Sequence, residues 1–264
     1  MFYYDYHVHT NNSFDSRAIM RQVCSEAISR HLKEICFTEH FTLNRQVPTF
    51  GHMNWQNYNQ EIERNKKKWA NQLSIKKGVE ICEPHIFANQ YKDLIDKQQL
   101  DFILGSVHNL DNIKLKTVLE QEGKYMAYTR YFREMLKMVK TADIDVLSHF
   151  DLIKRYSEQE FSERDFDEYS LIIKQILKIA IQRNIGIEIN TSTYKKLYET
   201  MPEEKILILY KSLGGTLLTI GSDAHEKNKV GNYVNVAQDV AEHCGFHAFT
   251  IFTKRTPKNV SFVE

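Results

Sequence analysis

Residues 216–225 read Thr216-Leu-Leu-Thr-Ile-Gly-Ser-Asp-Ala-His225. Thr216–Ile220 is apolar and β-branched, the composition of a strand buried on both faces. Beyond Ile220 come glycine, two small polar groups and a histidine, so the strand delivers polar side chains to one place at its C-terminal end. The same arrangement recurs upstream. Phe2–His7 runs into His7-Val8-His9, Ile35–Thr38 into Thr38-Glu39-His40, and Phe102–Val107 into Ser106-Val107-His108. Ile144–Ser148 ends at Ser148-His149, Ile75–Ile81 carries Gly78-Val79-Glu80, and Ile185–Ile189 is a further apolar run. Helical segments lie between these strands. Segment 17–31 carries Ile19, Val23, Ala27 and Ile28 at helical spacing. Segments 125–140 and 165–183 carry Tyr128, Phe132, Met135 and Val139, and Tyr169, Ile173, Ile176 and Ala180. Met201-Pro-Glu-Glu opens another helix, which Gly214-Gly215 ends. Strand–helix alternation implies parallel strands with helical crossovers. Seven or eight such units in 264 residues fit one closed (β/α) barrel domain, 1–264, better than an open sheet in two domains. Ala248–Phe252 is either an eighth strand or an edge.

Composition narrows the function. Lys and Arg total 35 against 34 Asp and Glu, a formal charge of +1. That balance, with no stripe of aromatic and basic residues, offers no track for nucleic acid. Cys24, Cys36, Cys82 and Cys244 lie far apart with no CxxC spacing, which points to a reducing compartment and buried thiols. The N-terminal MFYYDYHVHT lacks the basic and apolar regions of a secretion signal, and no apolar run is long enough to span a bilayer. A cytoplasmic protein with no membrane partner is expected.

The histidines are the informative residues. His7, His9, His40, His108, His149 and His225, six of the eleven, fall at C-terminal strand ends. Chance would put roughly one there if about 30 positions count as strand ends, and that rim is where barrel enzymes keep their sites. Residues two apart on a strand point the same way, so His7 and His9 can share an ion, as can Asp223 and His225. Imidazoles mixed with a few carboxylates suit Zn, Fe or Mn. More than four donors on one rim implies more than one ion, and paired ions suit phosphoryl transfer. His31, His52, His85, His243 and His247 lie on helices, loops or near the tail and read as ordinary structural residues. Glu83 reads as a loop or supporting acid, Cys36 and Cys82 as core thiols, and Lys66-Lys67-Lys68 as a solvated helix face.

In order, the motifs HVHT (7–10), TEH (38–40), GVE (78–80), SVH (106–108), SHFD (148–151) and GSDAH (221–225) resemble those of the polymerase-and-histidinol-phosphatase (PHP) metallohydrolases. The resemblance implies a distorted (β/α)7 barrel with three divalent transition-metal ions on its C-terminal face. Motif by motif, it gives His7, His9, Glu80 and Asp223 to one ion. Glu80, His108 and His149 go to a second, with Glu80 bridging, and Asp15, His40 and His225 to a third. At Asp15 the family has a histidine or an acid. Within the family the chain is most similar to the histidinol-phosphate phosphatases. Arg155, in His149-Phe-Asp-Leu-Ile-Lys-Arg155, matches an arginine that contacts substrate phosphate. Lys195 stands near a second family arginine, and Thr193 where the family often has glycine. Lysine offers a point charge where arginine offers a planar fork, so that departure bears on substrate geometry.

The resemblance implies a phosphomonoesterase that hydrolyses L-histidinol phosphate to L-histidinol and phosphate in histidine biosynthesis, with Glu80, Asp223 and Arg155 acting directly and Arg155 and Lys195 binding substrate. Its alternatives are another small phosphate ester, or a non-catalytic PHP domain. The full set of ligand positions argues against the latter. Residues 41–55, between the second strand and its helix, are long for a βα loop. They read either as a cover over the ligand or as a surface loop that packs Phe50 and Trp55 on the barrel.

Overall fold

The computed structural model describes residues 3–157 and 161–262. Strands β1 (Tyr3–Val8), β2 (Leu32–Phe41), β3 (Ser74–Cys82) and β4 (Phe102–Ser106) are followed by a small hairpin, β5 (Asn109–Leu110) and β6 (Ile113–Lys114). Then come β7 (Val146–Leu147), β8 (Gly186–Asn190) and β9 (Leu218–Gly221), and a terminal hairpin of β10 (Ala248–Thr253) and β11 (Thr256–Ser261). The helices are α1 (Met20–Ser29), α2 (Trp55–Trp69), α3 (Ala88–Ile95), α4 (Leu115–Thr141), α5 (Glu163–Gln182), α6 (Tyr194–Leu197), α7 (Glu204–Ser212) and α8 (Val234–His243).

Seven strands form one parallel sheet in the order β1-β2-β3-β4-β7-β8-β9. The sheet curls until its outer strands meet, giving the expected seven-stranded barrel. Closure is incomplete. β1 and the segment after β9 are joined by one bridge, Val8 to Ala224, with His9 N donating to Ala224 O at 2.9 Å. The seam therefore closes at the C-terminal rim, where it sets His7 and His9 beside Asp223. Strand β7 is shorter than expected. Asp145 and Ser148 still bond to β4, Asp145 N to Ile103 O and Ser148 N to Gly105 O, but outside the regular ladder. Phe2, where the first strand was expected to begin, lies outside the described residues.

Ala248–Phe252 is not an eighth barrel strand. Its hairpin plugs the N-terminal mouth, where Phe252 packs on Tyr6 and Phe102 and its N–H donates to Tyr6 Oη. That end is dry and aromatic, so the polar rim opposite is the one open to chemistry. Helices cover the outside. On α1 the buried face is Met20, Val23, Cys24 and Ala27, while Ile19 is exposed at the N-cap. Helix α4 starts ten residues before the expected 125 and breaks at Gly123, whose φ of 76° needs the freedom of glycine. Ser162 caps α5 through a capping box with Asp165. Pro202 precedes α7 instead of opening its first turn. Among the described residues no helix is long and apolar enough to cross a membrane.

Candidate metal centre

All nine rim residues expected to bind metal lie around one point. His7 and His9 reach it from β1 and the residue after it, His40 from β2 and Glu80 from β3, with His40 and Glu80 paired in register. His108 and His149 follow β4 and β7, and Asp223 and His225 follow β9. Asp223 has φ of 53°, a left-handed conformation that Asp tolerates better than most residues. That turn aims its carboxylate back across the seam.

The donor atoms are spaced as ligands of shared ions. His7 Nε2 is 3.2 Å and His9 Nε2 3.5 Å from Glu80 Oε2; Asp223 Oδ1 is 3.6 Å from the first nitrogen and 3.5 Å from the second. Four atoms each about 2.0–2.1 Å from one tetrahedral ion stand about 3.3–3.4 Å apart. The other carboxylate oxygen, Glu80 Oε1, is 2.9 Å from His149 Nε2 and 3.4 Å from His108 Nε2. Asp15 Oδ2 is 3.4 Å from His40 Nε2 and 3.3 Å from His225 Nε2. His7 Nε2 and His9 Nε2 are buried with no hydrogen-bond partner among the described residues, and both face buried Glu80 Oε2, which His40 Nδ1 approaches to 2.9 Å. Orphaned buried polar atoms are costly, and two ring nitrogens converging on one carboxylate oxygen suit a cation. The donor set therefore fits divalent metal.

Charge agrees with geometry. Burial opposes ionisation of Glu80 and Asp223, yet the surrounding histidines, joined at Asp223 by Arg155, hold both well below the usual carboxylate range. Burial likewise opposes a proton on His7, but Glu188, Glu80 and Asp223 raise it far above its ordinary value. Burial lowers His9, reinforced by His225 and His40, and lowers His108 to about 3 despite Glu80.

A layer of groups behind the donors orients them. His7 Nδ1 donates to Glu188 Oε1 at 2.6 Å, while Glu188 Oε2 accepts from His149 N and Asn190 Nδ2. Ser13 Oγ lies 3.1 Å from His9 Nδ1, donates to Glu39 Oε2 and accepts from His40 N. Buried Asp5 accepts from Ser222 N and Gly231 N, fixing the segment that carries Asp223. Glu83 accepts from His108 N and Asn109 N, and burial pushes its carboxyl up to about 7. A Cβ at Gly221 would collide with Glu188 and His7, so glycine is needed where β9 passes them. Sequence reasoning gave no role to Asp5, Ser13, Glu39 or Glu188. The available signal was a carboxylate inside an apolar strand, in Tyr4-Asp5-Tyr6 and Ile187-Glu188-Ile189.

Arg155 leaves a 3-10 turn at Leu152–Tyr156; its Nη2 donates to Asp223 Oδ2 at 2.9 Å and to Ser192 Oγ. It lines a cavity of about 410 Å³ with Phe14, Asp15, Thr49, His108 and His225. Lys195 is exposed and lines an adjoining cavity that shares Asp223 and His225. Of the histidines read as structural, half-buried His85 pairs with Glu134 at 2.6 Å, and none of the five joins a metal-capable group among the described residues. Cys36 is a core thiol as expected, whereas the Cys82 sulfur lies against His108.

Known proteins share this fold. Residues 5–192 match the PHP domain. The chain belongs to the PHP family. This PHP protein is 33% identical to the "Probable histidinol-phosphatase" of Clostridium acetobutylicum, over 97% of this chain and 98% of that one. It is 29% identical to the "Histidinol-phosphatase" of Lactococcus lactis, over 94% of each chain. Its structure superposes on the crystal structure of the Lactococcus lactis histidinol phosphate phosphatase complexed with zinc, L-histidinol and phosphate. The TM-score is 0.88 at 27% identity, covering 98% of this chain and all of that one.

Proposed function

We propose that this PHP protein is a metal-dependent phosphomonoesterase that hydrolyses L-histidinol phosphate to L-histidinol and phosphate, in a single barrel domain. The observation that carries the reading is the spacing of four donors beside a cavity that also holds an arginine. His7 Nε2 and His9 Nε2 each lie 3.2–3.6 Å from both Glu80 Oε2 and Asp223 Oδ1. The likeness over full length to histidinol-phosphatases supports the choice of ester.

In this reading His7, His9, Glu80 and Asp223 hold one ion. Glu80, His108 and His149 hold a second, and Asp15, His40 and His225 a third. The mixed nitrogen and oxygen donors suit Zn, Fe or Mn. When bound, such ions acidify water and offset charge growing on phosphoryl oxygens. The residues do the rest. Glu80 shares its two oxygens between two clusters of imidazoles and fixes their separation. Glu188 keeps the proton of His7 on Nδ1 and so leaves Nε2 as a lone-pair donor. Arg155, held by Asp223 and Ser192, presents its remaining N–H groups to the phosphate oxygens, where a planar fork gives orientation as well as charge. Lys195, from the adjoining cavity, adds a weaker and more distant charge.

The test is phosphate release from L-histidinol phosphate by purified protein of known metal content, before and after chelation and after readdition of Zn, Mn or Fe. Metal-restored turnover supports the reading; turnover that survives complete removal of metal refutes it.

A further inference from the structure

Each histidine of the centre has two ring nitrogens, and a ligand histidine needs a partner behind it to fix its tautomer. Five have an oxygen at Nδ1: Glu188 at His7, Ser13 at His9, the Asp223 carbonyl 3.0 Å from His225, Ser148 Oγ 3.4 Å from His149, and Glu80 Oε2 2.9 Å from His40, whose Nδ1 is also 3.9 Å from Cys82 Sγ. His108 differs. Its Nε2 faces Glu80 Oε1 and lies 3.2 Å from His149 Nε2, while its Nδ1 lies 3.2 Å from Cys82 Sγ. Cys82 ends β3 two residues beyond Glu80, so both side chains face the same side of the strand, and it is buried.

We infer that Cys82 is a positioning residue of the metal centre: its sulfur accepts the Nδ1–H of His108 and so directs Nε2 toward the ion that His108 shares with His149 and Glu80. The inference rests on the metal-centre reading proposed above. The other role open to a cysteine here is ligation, since Cys82, His40 and His108 form a group compact enough for an ion. Ring direction argues against it. An ion between Sγ and the two Nδ1 atoms would leave His108 Nε2 and His40 Nε2 pointing away, the first to Glu80 and His149 and the second to Asp15. A ring that uses Nε2 for the shared centre has Nδ1 free only for an outer contact. Sulfur is a weak acceptor, so it orients His108 less firmly than the Glu188 carboxylate orients His7.

The experiment compares wild type, Cys82→Ala and Cys82→Ser in the full-length protein. Zn and Mn affinities are measured by chelator competition, with melting of the metal-free forms as a folding control. Cys82→Ala is expected to weaken one ion by tenfold to a hundredfold, the usual effect of losing an outer partner, with the others unchanged. Cys82→Ser restores an acceptor and should recover most of that loss. Cobalt-loaded wild type should show no thiolate-to-cobalt charge-transfer band, and 15N spectra of metal-free wild type should place the His108 proton on Nδ1. Equal affinities in all three proteins, a thiolate band, or a His108 proton on Nε2 would each overturn the inference. The spectra need no variant, so a Cys82→Ala protein that fails to fold leaves the test standing. Wild type that binds no divalent ion would instead defeat the metal-centre reading itself.

Discussion

Glu188→Gln is the sharpest perturbation of the centre, because it removes one charge and turns one acceptor into a donor with almost no change in volume. Glu188 is fully buried and accepts three hydrogen bonds: Oε1 from His7 Nδ1 at 2.6 Å, Oε2 from His149 N at 2.8 Å and from Asn190 Nδ2 at 3.1 Å. A glutamine has one acceptor and one donor end. With its amide nitrogen at the Oε2 position it would face two donors, one of them a main-chain N–H that cannot turn away. Each such clash leaves a buried donor unmade at about 1–3 kcal/mol. The opposite orientation costs less. The carbonyl accepts from His149 N and Asn190, and the amide nitrogen faces His7, whose proton then moves to Nε2. That proton points at Glu80 Oε2 and occupies the lone pair the metal requires. Loss of an outer partner weakens metal by about tenfold to a hundredfold, about 1.4–2.8 kcal/mol. Chelator competition should therefore show a loss of this size for one ion, kcat should fall at limiting metal, and excess metal should partly restore it. Metal-free stability should fall as well, because Glu188 is the foremost of the acids that hold the proton on buried His7, so melting of the metal-free variant is measured beside its metal affinity. Wild-type metal affinity in the variant would refute the role given to Glu188.

Arg155→Ala should leave the metals bound, because Asp223 faces His7 and His9 through its other oxygen, yet lower kcat/KM by about tenfold to a thousandfold; steady-state kinetics with metal analysis decides. Glu203, raised to about 7 by burial and by Asp151, is protonated in both states below its ordinary 4.5. Between 4.5 and about 7 only the unfolded chain releases the proton, so this group lowers stability as pH rises and keeps the full penalty above 7. Glu203→Gln should raise Tm at pH 8 and leave it unchanged at pH 4; an equal gain at both would remove the titration argument. Replacing residues 44–52 by a short Gly-Ser turn should spare metal content and hydrolysis of p-nitrophenyl phosphate but reduce preference for histidinol phosphate, since Pro48 and Thr49 line the cavity. It should also lower Tm, because Val47 is buried and Asn44 and Gln46 bond to Asn112; parallel loss on both substrates would make the loop purely structural.

Legibility from residues alone divides on physical grounds. Apolar strands that end in histidine announce both a barrel and its working face, because the strand period and the rim position fix where His7, His9, His108 and His149 point. Asp15 and Glu80 came from motif resemblance, and the structure places both among the imidazoles. The roles of Glu188 and Asp5 are not legible in the sequence, because a single acid within an apolar strand shows burial but not its partner on another strand. Glu188 sits 181 residues from His7, and only barrel closure joins them. Cys82 reads as a core thiol because it ends a strand, and the His108 ring that meets its sulfur is 26 residues along the chain, on the loop after the next strand. Ala248–Phe252 has the composition of a barrel strand, yet it pairs with Thr256–Ser261, because a tight antiparallel hairpin forms locally without a crossover. For residues 41–55 each reading holds in part: Trp55 starts α2 and packs on Phe41 but Phe50 is exposed beneath Arg45, while Pro48 and Thr49 face the cavity.

The most direct measurement is competition between L-histidinol phosphate and p-nitrophenyl phosphate in one reaction, using protein whose bound Zn, Fe and Mn have been counted. Histidinol phosphate should be consumed at a kcat/KM at least about a hundredfold above the generic ester, the discrimination that roughly 2.8 kcal/mol of selective transition-state binding confers. Both activities should fall together as metal is withdrawn. Fully metal-loaded protein that consumes the generic ester and leaves histidinol phosphate untouched would contradict the proposed activity.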